Sequence, residues 1–138
     1  MSCRKDGGWS APAAISFETA SLGVQLDGEE IDVNILSLDK SRRSKLLSAR
    51  FTIGSDASAA WGNGKTAHED PNAQIVFYGQ TKGVFAGFGL DGATLKRDQS
   101  ADKALYGRDM TNGDIVDSGV TPSIAQPLVD KLAQTAIQ

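Results

Sequence analysis

The sequence predicts an α+β fold: a single, mostly antiparallel β-sheet of six or seven strands, covered by two or three helices. Three observations predict it. Apolar and polar residues alternate in short runs, most clearly in "EEIDVNILSL", where Ile31, Val33 and Ile35 share one face and Asp32 and Asn34 the other. The hairpin signals Asp27-Gly28 and Asp91-Gly92 stand between such runs. The C-terminal tail then changes period, with Leu128, Leu132 and Ala136 four residues apart. A chain of 138 residues is read as one domain, 1–138, able to bury a core without disulfides or metal.

Taken in order, residues 1–12 are polar and glycine-rich up to Trp9. Ala13–Glu18 reads as a short strand. Ser21–Leu26 alternates, with Leu22, Val24 and Leu26 on one face, and pairs across Asp27-Gly28 with the strand through Ile35. Asp39 is placed to cap a helix running to about Ala49, with Leu46 and Leu47 as its apolar edge. "RFTIGSDASAAWG" reads as one strand, 62–72 as a loop, "AQIVFYGQ" as a buried strand and "GVFAGFGLDGATLK" as a hairpin. "DQSADKALYG" makes a short helix, capped by Asp98 or Ser100 and stopped by Gly107. Residues 108–121 read as irregular, with a weak strand near Ile115 and Val116. The tail is helical over 122–137, with Pro122 or Pro127 in its first turn, and its apolar stripe is expected to cover a sheet.

"GFGLDG", Gly87 to Gly92, has the G-x-G-x-x-G pattern of a dinucleotide-binding turn. Such a turn places its glycines where a strand ends and a helix begins, so that the helix N-terminus meets the pyrophosphate. Here Val84, Ala86, Phe88 and Leu90 alternate through Gly87 and Gly89, and "ATLK" afterwards is strand-like. The glycines are therefore read as strand positions where a neighbour approaches closely.

Little else suggests chemistry. The one cysteine, Cys3, excludes an internal disulfide, and the one histidine, His68, lies in the polar stretch "TAHEDPN". Zinc sites and Ser-His or Cys-His catalysis lack material. Asp27, Glu29, Glu30 and Asp32 read as a solvated hairpin edge. No catalytic residue, metal or cofactor is expected. There is no run of about 18 apolar residues to span a membrane and no signal leader. That points to the cytoplasm if residue 1 is the natural start, and to a peripheral-membrane or envelope location if a leader precedes it.

Net charge is −3, which argues against nucleic acid as a main partner. Yet "KSRRSKLLSAR" holds Lys40, Arg42, Arg43, Lys45 and Arg50 without an acid, leaving the rest of the chain at −8. Five cations at an anionic lipid surface supply at most ~5 kcal/mol, a dissociation constant no better than roughly 0.1–1 mM. Charge alone makes no firm membrane binder; a shaped headgroup site must add to it. The competing reading is an ordinary solvated helix face.

Four stretches in order resemble one family. "GGWSAPAAI" is similar to its G-x-W-S-x-P-x-x-I opening, "SLGVQLDG" to its S-x-G-x-Q-x-G segment, and "IGSDASAAWGNG" to its L-G-x-D-A-S-x-A-x-G run. "YGQTKGVFAGFGLDGATL" with "DKALYG" resembles its Y-x-x-x-K-G-x-F-A-G-x-x-L-x-G-A and closing N-x-x-(F/Y)-Y-G. This is the SYLF domain, also called Ysc84 or DUF500, and the resemblance covers residues 7 to about 107. It implies a noncatalytic module binding anionic, phosphoinositide-like lipid headgroups, with contact candidates Lys40, Arg42, Arg43, Lys45, Lys65 and Lys82. Yeast-type members are also linked to actin filaments and bacterial members to the cell envelope. The alternative is therefore a protein-interaction module with an actin-like or envelope partner, acting through an exposed sheet edge. Trp9 and Trp61 read as core or strand-packing residues, with a place at the interface as the alternative.

Three departures qualify the resemblance. Family domains usually carry a glycine-rich segment before the W-S-x-P motif, and this chain starts almost at that motif. A missing element leaves an open sheet edge that invites pairing with another chain, the route to a homodimer. The usual G-P-x-G-R is "GNGKTA" here, with Lys65 substituting for an Arg but lacking its bidentate fork. The helix-opening Asn of the closing motif is Asp102, which puts that position in doubt as a functional one.

Overall fold

The structure, a computed structural model, describes residues 1–18, 32–56, 59–61, 74–81, 84–85 and 92–135. The α+β class is as the sequence predicts. The strands are β1 (Arg4–Lys5), β2 (Gly8–Trp9), β3 (Ile15–Glu18), β4 (Asp32–Ser37), β5 (Arg50–Thr52), β6 (Ala59–Trp61), β7 (Ile75–Thr81), β8 (Val84–Phe85) and β9 (Thr94–Arg97). The helices are α1 (Arg43–Leu46), α2 (Gln99–Tyr106), α3 (Asn112–Ser118) and α4 (Gln126–Thr135). Instead of one sheet, the described strands form three: β1–β2, β3–β9–β5, and β4–β7–β6 with β8 also on β7. A turn divides the run read as one strand over 50–62. There Asp56 Oδ2 accepts the Thr52 N–H at 2.7 Å and the Asp56 N–H donates to the Thr52 carbonyl at 2.9 Å. The chain enters that turn as β5 and leaves it as β6, each in a different sheet.

The chain divides into two compact units. One comprises Met1–Ser16, Leu47–Ala49 and Lys96–Gln138. Its core gathers Ala11, Ala13, Met110 and Ile115, with Tyr106 packed against them. α2 forms as its sequence predicts. Asp98 accepts the Ala101 N–H at 3.0 Å as N-cap. Gly107 ends the helix at φ 74°, a left-handed conformation that costs glycine little and a side chain more. One face of α2 fastens the segment carrying the opening motif. The Asp98 N–H donates to the Ala14 carbonyl at 3.1 Å, and the Ala14 N–H to Asp102 Oδ1 at 2.7 Å. The Tyr106 hydroxyl donates to the Pro12 carbonyl at 2.7 Å. These three residues recur every four positions, the spacing that stacks side chains along one helix face.

Asp102 is fully buried, and its Oδ2 has no hydrogen-bond partner. Burial pushes its carboxyl above the usual carboxylate range, against the opposing pull of the Ala14 N–H and of Arg97. Burial, and secondarily the Asp102 charge, also pushes the Tyr106 phenol up.

The second unit comprises Phe17–Leu46 and Arg50–Leu95. β7 is its central strand, paired antiparallel with β4 from Asp32↔Gln80 to Ser37↔Ile75 and parallel with β6 from Ala59↔Ile75 to Trp61↔Phe77. Ile75, Val76 and Phe77 are buried, as "AQIVFYGQ" predicts, and so are Phe51, Ile53, Ala93 and Leu95. Gly87 and Gly89 lie outside the described residues, as do Ser21–Leu26 and the Asp27-Gly28 turn. Past Gly92, whose N–H donates to the Ile53 carbonyl at 2.9 Å, the chain enters strand β9 and no helix begins there.

Three expectations are corrected. The segment 108–121 is not irregular, and Ile115 and Val116 do not form a strand. They are fully buried in α3, whose N-terminus is a capping box: Asp114 donates its N–H to Thr111 Oγ1, and Thr111 its N–H to Asp114 Oδ2. The helix expected from Asp39 to Ala49 is a 3-10 turn, Lys40–Arg42, followed by the single α-turn of α1. The tail opens with a 3-10 turn at Ser123–Ala125, and α4 lies beside the two-residue β2 without burying any side chain fully. Val129 and Leu132 are half-buried, while Ile124 and Leu128 are exposed.

Two outcomes test this account. Ile115→Ala should cost about 2–5 kcal/mol and Thr111→Ala about 0.5–2 kcal/mol in urea unfolding, values a surface strand would not show. Asp102→Asn keeps an oxygen for the Ala14 N–H and removes a buried charge. Because the native carboxyl titrates above its unfolded value near 4, the parent is most favoured below that value and loses stability as pH rises through the raised one. The advantage of Asp102→Asn should therefore be absent near pH ~3.5 and reach about 1 kcal/mol or more by neutral pH. Urea titrations at stepped pH measure it.

Candidate interaction surface

The surface begins where β4 leaves its sheet. Leu36 pairs with Val76 across the ladder, and the Leu38 N–H donates to the Gln74 carbonyl at 2.9 Å just beyond it. Both leucines are exposed, Leu36 at 46% and Leu38 at 55%, too much for core positions. Asp39 then turns the chain. Its backbone is extended, and its carboxylate accepts the Ser41 N–H at 2.8 Å, capping the turn as the sequence predicts. Hydrogen bonds from the Ser41 side chain and backbone, with the nearby Arg42 charge, hold the Asp39 carboxyl below its ordinary value.

The sequence groups Lys40, Arg42, Arg43 and Lys45 as equivalent cations. The structure separates them. Lys40, Arg43 and Lys45 are exposed. Arg42 is half-buried and turned inward. Its Nη1 donates to the Asp56 carbonyl at 3.3 Å, and its Nε lies 3.6 Å from Asp39 Oδ2. Gln74 offers its amide oxygen to Arg42 Nε and Nη2 at 3.3 and 2.9 Å, in the orientation that satisfies both amide atoms. One guanidinium thus ties the basic turn to the Asp56 turn and to the start of β7, a use of the planar fork that a lysine cannot reproduce. Lys65 and Lys82 lie outside the described residues, as does His68. Trp9 is half-buried on β2, and Trp61 lies on β6.

The sequence reading missed Leu36 and Leu38. Their signal is the break in alternation at Ile35-Leu36, which puts Leu36 and Leu38 on the face opposite the one assigned to the core.

Other polar clusters are mostly engaged within the fold, although Arg97 Nε and Asn112 Oδ1 are buried without a hydrogen-bond partner. An open hollow of about 530 Å³ is lined by Asp109, Asp114 and Asp117 among others. Asp109 takes Arg97 and Gln99, Asp114 closes the α3 capping box, and Asp117 meets Lys5 at 3.4 Å. A second hollow, about 610 Å³, lies at the start of α2, where Asp98 caps the helix and Arg97 is held by Asp109. Among the described residues, no group of His, Cys, Asp and Glu is placed to hold a metal ion. No described helix is long and apolar enough to cross a membrane.

Residues 18–135 match the Ysc84 family, described as Las17-binding protein actin regulator. The chain is 31% identical to Protein YSC84 of Saccharomyces cerevisiae over 96% of its own length and 30% of that protein's. It is 30% identical to LAS seventeen-binding protein 3 of the same yeast, over 93% of this chain and 29% of that one. It is also 30% identical to the human SH3 domain-containing YSC84-like protein 1, over 88% and 37% respectively. The chain thus spans about a third of the length of these relatives. No solved structure matches it significantly.

The division among the cations has a measurable consequence. Arg42→Met should cost about 1–3 kcal/mol in urea unfolding, since it leaves the Asp39 carboxylate and the Gln74 amide short of a partner. Lys40→Glu should stay within about 0.5 kcal/mol, as an exposed surface change does.

Proposed function

Because the chain belongs to the Ysc84 family, we propose that it is a noncatalytic interaction domain that engages a protein partner of the actin machinery. The observation that carries this reading is the exposed pair Leu36 and Leu38 running directly into the exposed cations Lys40, Arg43 and Lys45. Exposed leucines beside fixed charges are what a docking surface requires and what a purely solvated turn does not. The relatives' names point the same way, to Las17 and to actin regulation. β4 adds a second element to the same region: among the described residues it pairs with β7 alone.

A second reading keeps the basic turn as a receptor for anionic, phosphoinositide-like lipid headgroups, through Lys40, Arg43 and Lys45 with Lys65 and Lys82. The exposed cations favour it. The inward Arg42 weakens it, since it takes about 1 kcal/mol away from what the basic turn supplies at a lipid surface. A protein partner adds burial of the leucines.

Binding of purified Las17 and of actin filaments, measured beside vesicles containing phosphoinositide, tests the two. Saturable binding to either protein without lipid supports the protein-partner reading. Binding to vesicles alone, weakening with salt, replaces it with the lipid reading.

A further inference from the structure

We propose that the stretch Ser10–Ala14 is a proton-controlled strap: it lies closed on α2 while the Asp102 carboxyl holds its proton, and it loosens when that proton leaves. The device belongs to the first unit and does not depend on the partner surface proposed in the second. The strap is held by polar bonds more than by bulk. Ser10, Ala11, Pro12 and Ala13 are buried, and none of them is large. Small side chains remove little apolar area from water, so their burial alone holds a segment weakly. The bonds to α2 come from one helix face, through Asp98, Asp102 and Tyr106, and of these three only Asp102 is fully buried.

Asp102 is the member whose state can change. An ionised carboxylate offers about four acceptor positions. Here the Ala14 N–H meets Oδ1, and Oδ2 is buried with no partner. A buried charge so poorly served is costly, whereas the protonated acid keeps Oδ1 for Ala14 and carries no charge. Burial is the largest influence on the carboxyl and favours the protonated form. Arg97 of β9 and the Met1 amine oppose it, and Asp98 on α2 reinforces it. The Tyr106 phenol, raised chiefly by its own burial, is the other titratable group that feels the Asp102 charge. Arg97 is already taken by Asp109, and its Nε has no hydrogen-bond partner. The closing motif of the family has Asn at this position, which accepts as well but has no such proton to lose; the Asp gives this chain its proton control.

The direction of the coupling follows. Opening the strap returns Asp102 to water, where it ionises near pH ~4. Between that value and the higher one of the closed strap, each opening releases one proton to solvent, so the opening constant rises up to about tenfold per pH unit. The strap is tightest below pH ~4, and above the raised value opening no longer depends on Asp102. Opening uncovers Met110 and Ile115, which share a core with Ala11 and Ala13.

Amide hydrogen exchange of the full chain, at stepped pH and corrected for intrinsic rates, tests the strap. The probes are the two N–H groups that close it, Ala14 to Asp102 and Asp98 to the Ala14 carbonyl. Their protection should fall by up to about tenfold per pH unit above pH ~4 and then level off. At every pH it should be lower than that of Ile115 and Val116 in α3 and insensitive to low urea, as a local opening is. In Asp102→Asn the same protection should be flat across that range; the Met1 amine, which burial holds low, is common to both chains. Tyr106→Phe removes the bond to the Pro12 carbonyl and should lower protection by one factor at all pH values, leaving the slope in place. Should Asp102→Asn not fold, the carboxyl carbon shift of Asp102 in the parent supplies the check, with a midpoint above ~4. Flat protection in the parent, the parent's slope persisting in Asp102→Asn, strap amides that exchange only together with α3, or a midpoint at or below ~4 would each overturn the inference.

Discussion

The hydrogen bond from the Ala14 N–H to Asp102 is the constraint on which the first unit turns. It is 2.7 Å long, joins residues 88 positions apart, and ends on a carboxylate shut away from solvent. A buried backbone donor left unpaired costs about 1–3 kcal/mol and a buried carboxylate without a donor costs more, so each group depends on the other. With Ala14 fixed there, Tyr106 can reach the Pro12 carbonyl and Asp98 can both cap α2 and donate to Ala14. Ala11 and Ala13 are then held in the core beside Met110 and Ile115. The opening and closing motifs of the family are therefore two halves of one fastening, and the Asn-to-Asp departure at 102 falls on its central acceptor. An amide or a carboxylate can accept from Ala14; the carboxylate adds a buried charge.

The second unit uses the same device with the signs reversed. There a cation, Arg42, reaches backward to Asp39 and across to the Asp56 carbonyl and Gln74. Asp56, the acid of the Asp-Ala-Ser motif, has its own carboxylate bound to the Thr52 N–H and is committed to making the turn. Two acids of the motifs, Asp56 and Asp102, thus serve the fold itself. The exposed side chains, Leu36, Leu38, Lys40, Arg43 and Lys45, lie between the motifs rather than in them.

Which parts were legible in the sequence follows from how local their causes are. α2 was legible because Asp98 and Gly107 act on their own helix, and β7 because an apolar run admits few alternatives. The Asp39 cap was legible for the same reason, but not the shortness of the helix after it, because Arg42 is drawn to Asp56 and Gln74 across the unit. α3 was missed through a local signal misjudged: Thr111 and Asp114 stand at capping-box spacing and Gly119 at the stop, but the β-branched pair Ile115-Val116 suggested a strand. Tertiary burial overrode that propensity. The division into three sheets was not legible, because nothing local to "RFTIGSDASAAWG" announces that Asp56 will bend the chain between two ladders. Of the candidate surface, the cations were legible as a group, but their division into one inward strut and three exposed charges was not.

That division bears on what a family likeness can carry. Residues that fasten the chain to itself recur wherever the fold recurs, because replacing one strands its buried partner. Exposed leucines between the motifs, such as Leu36 and Leu38, are under less of that demand. A family can then keep one frame while the chemistry of its docking surface changes from member to member. At about 30% identity, the relatives share the frame with this chain. In this chain the stretch between the motifs holds a strand end with two exposed leucines and a basic turn whose Arg42 points inward.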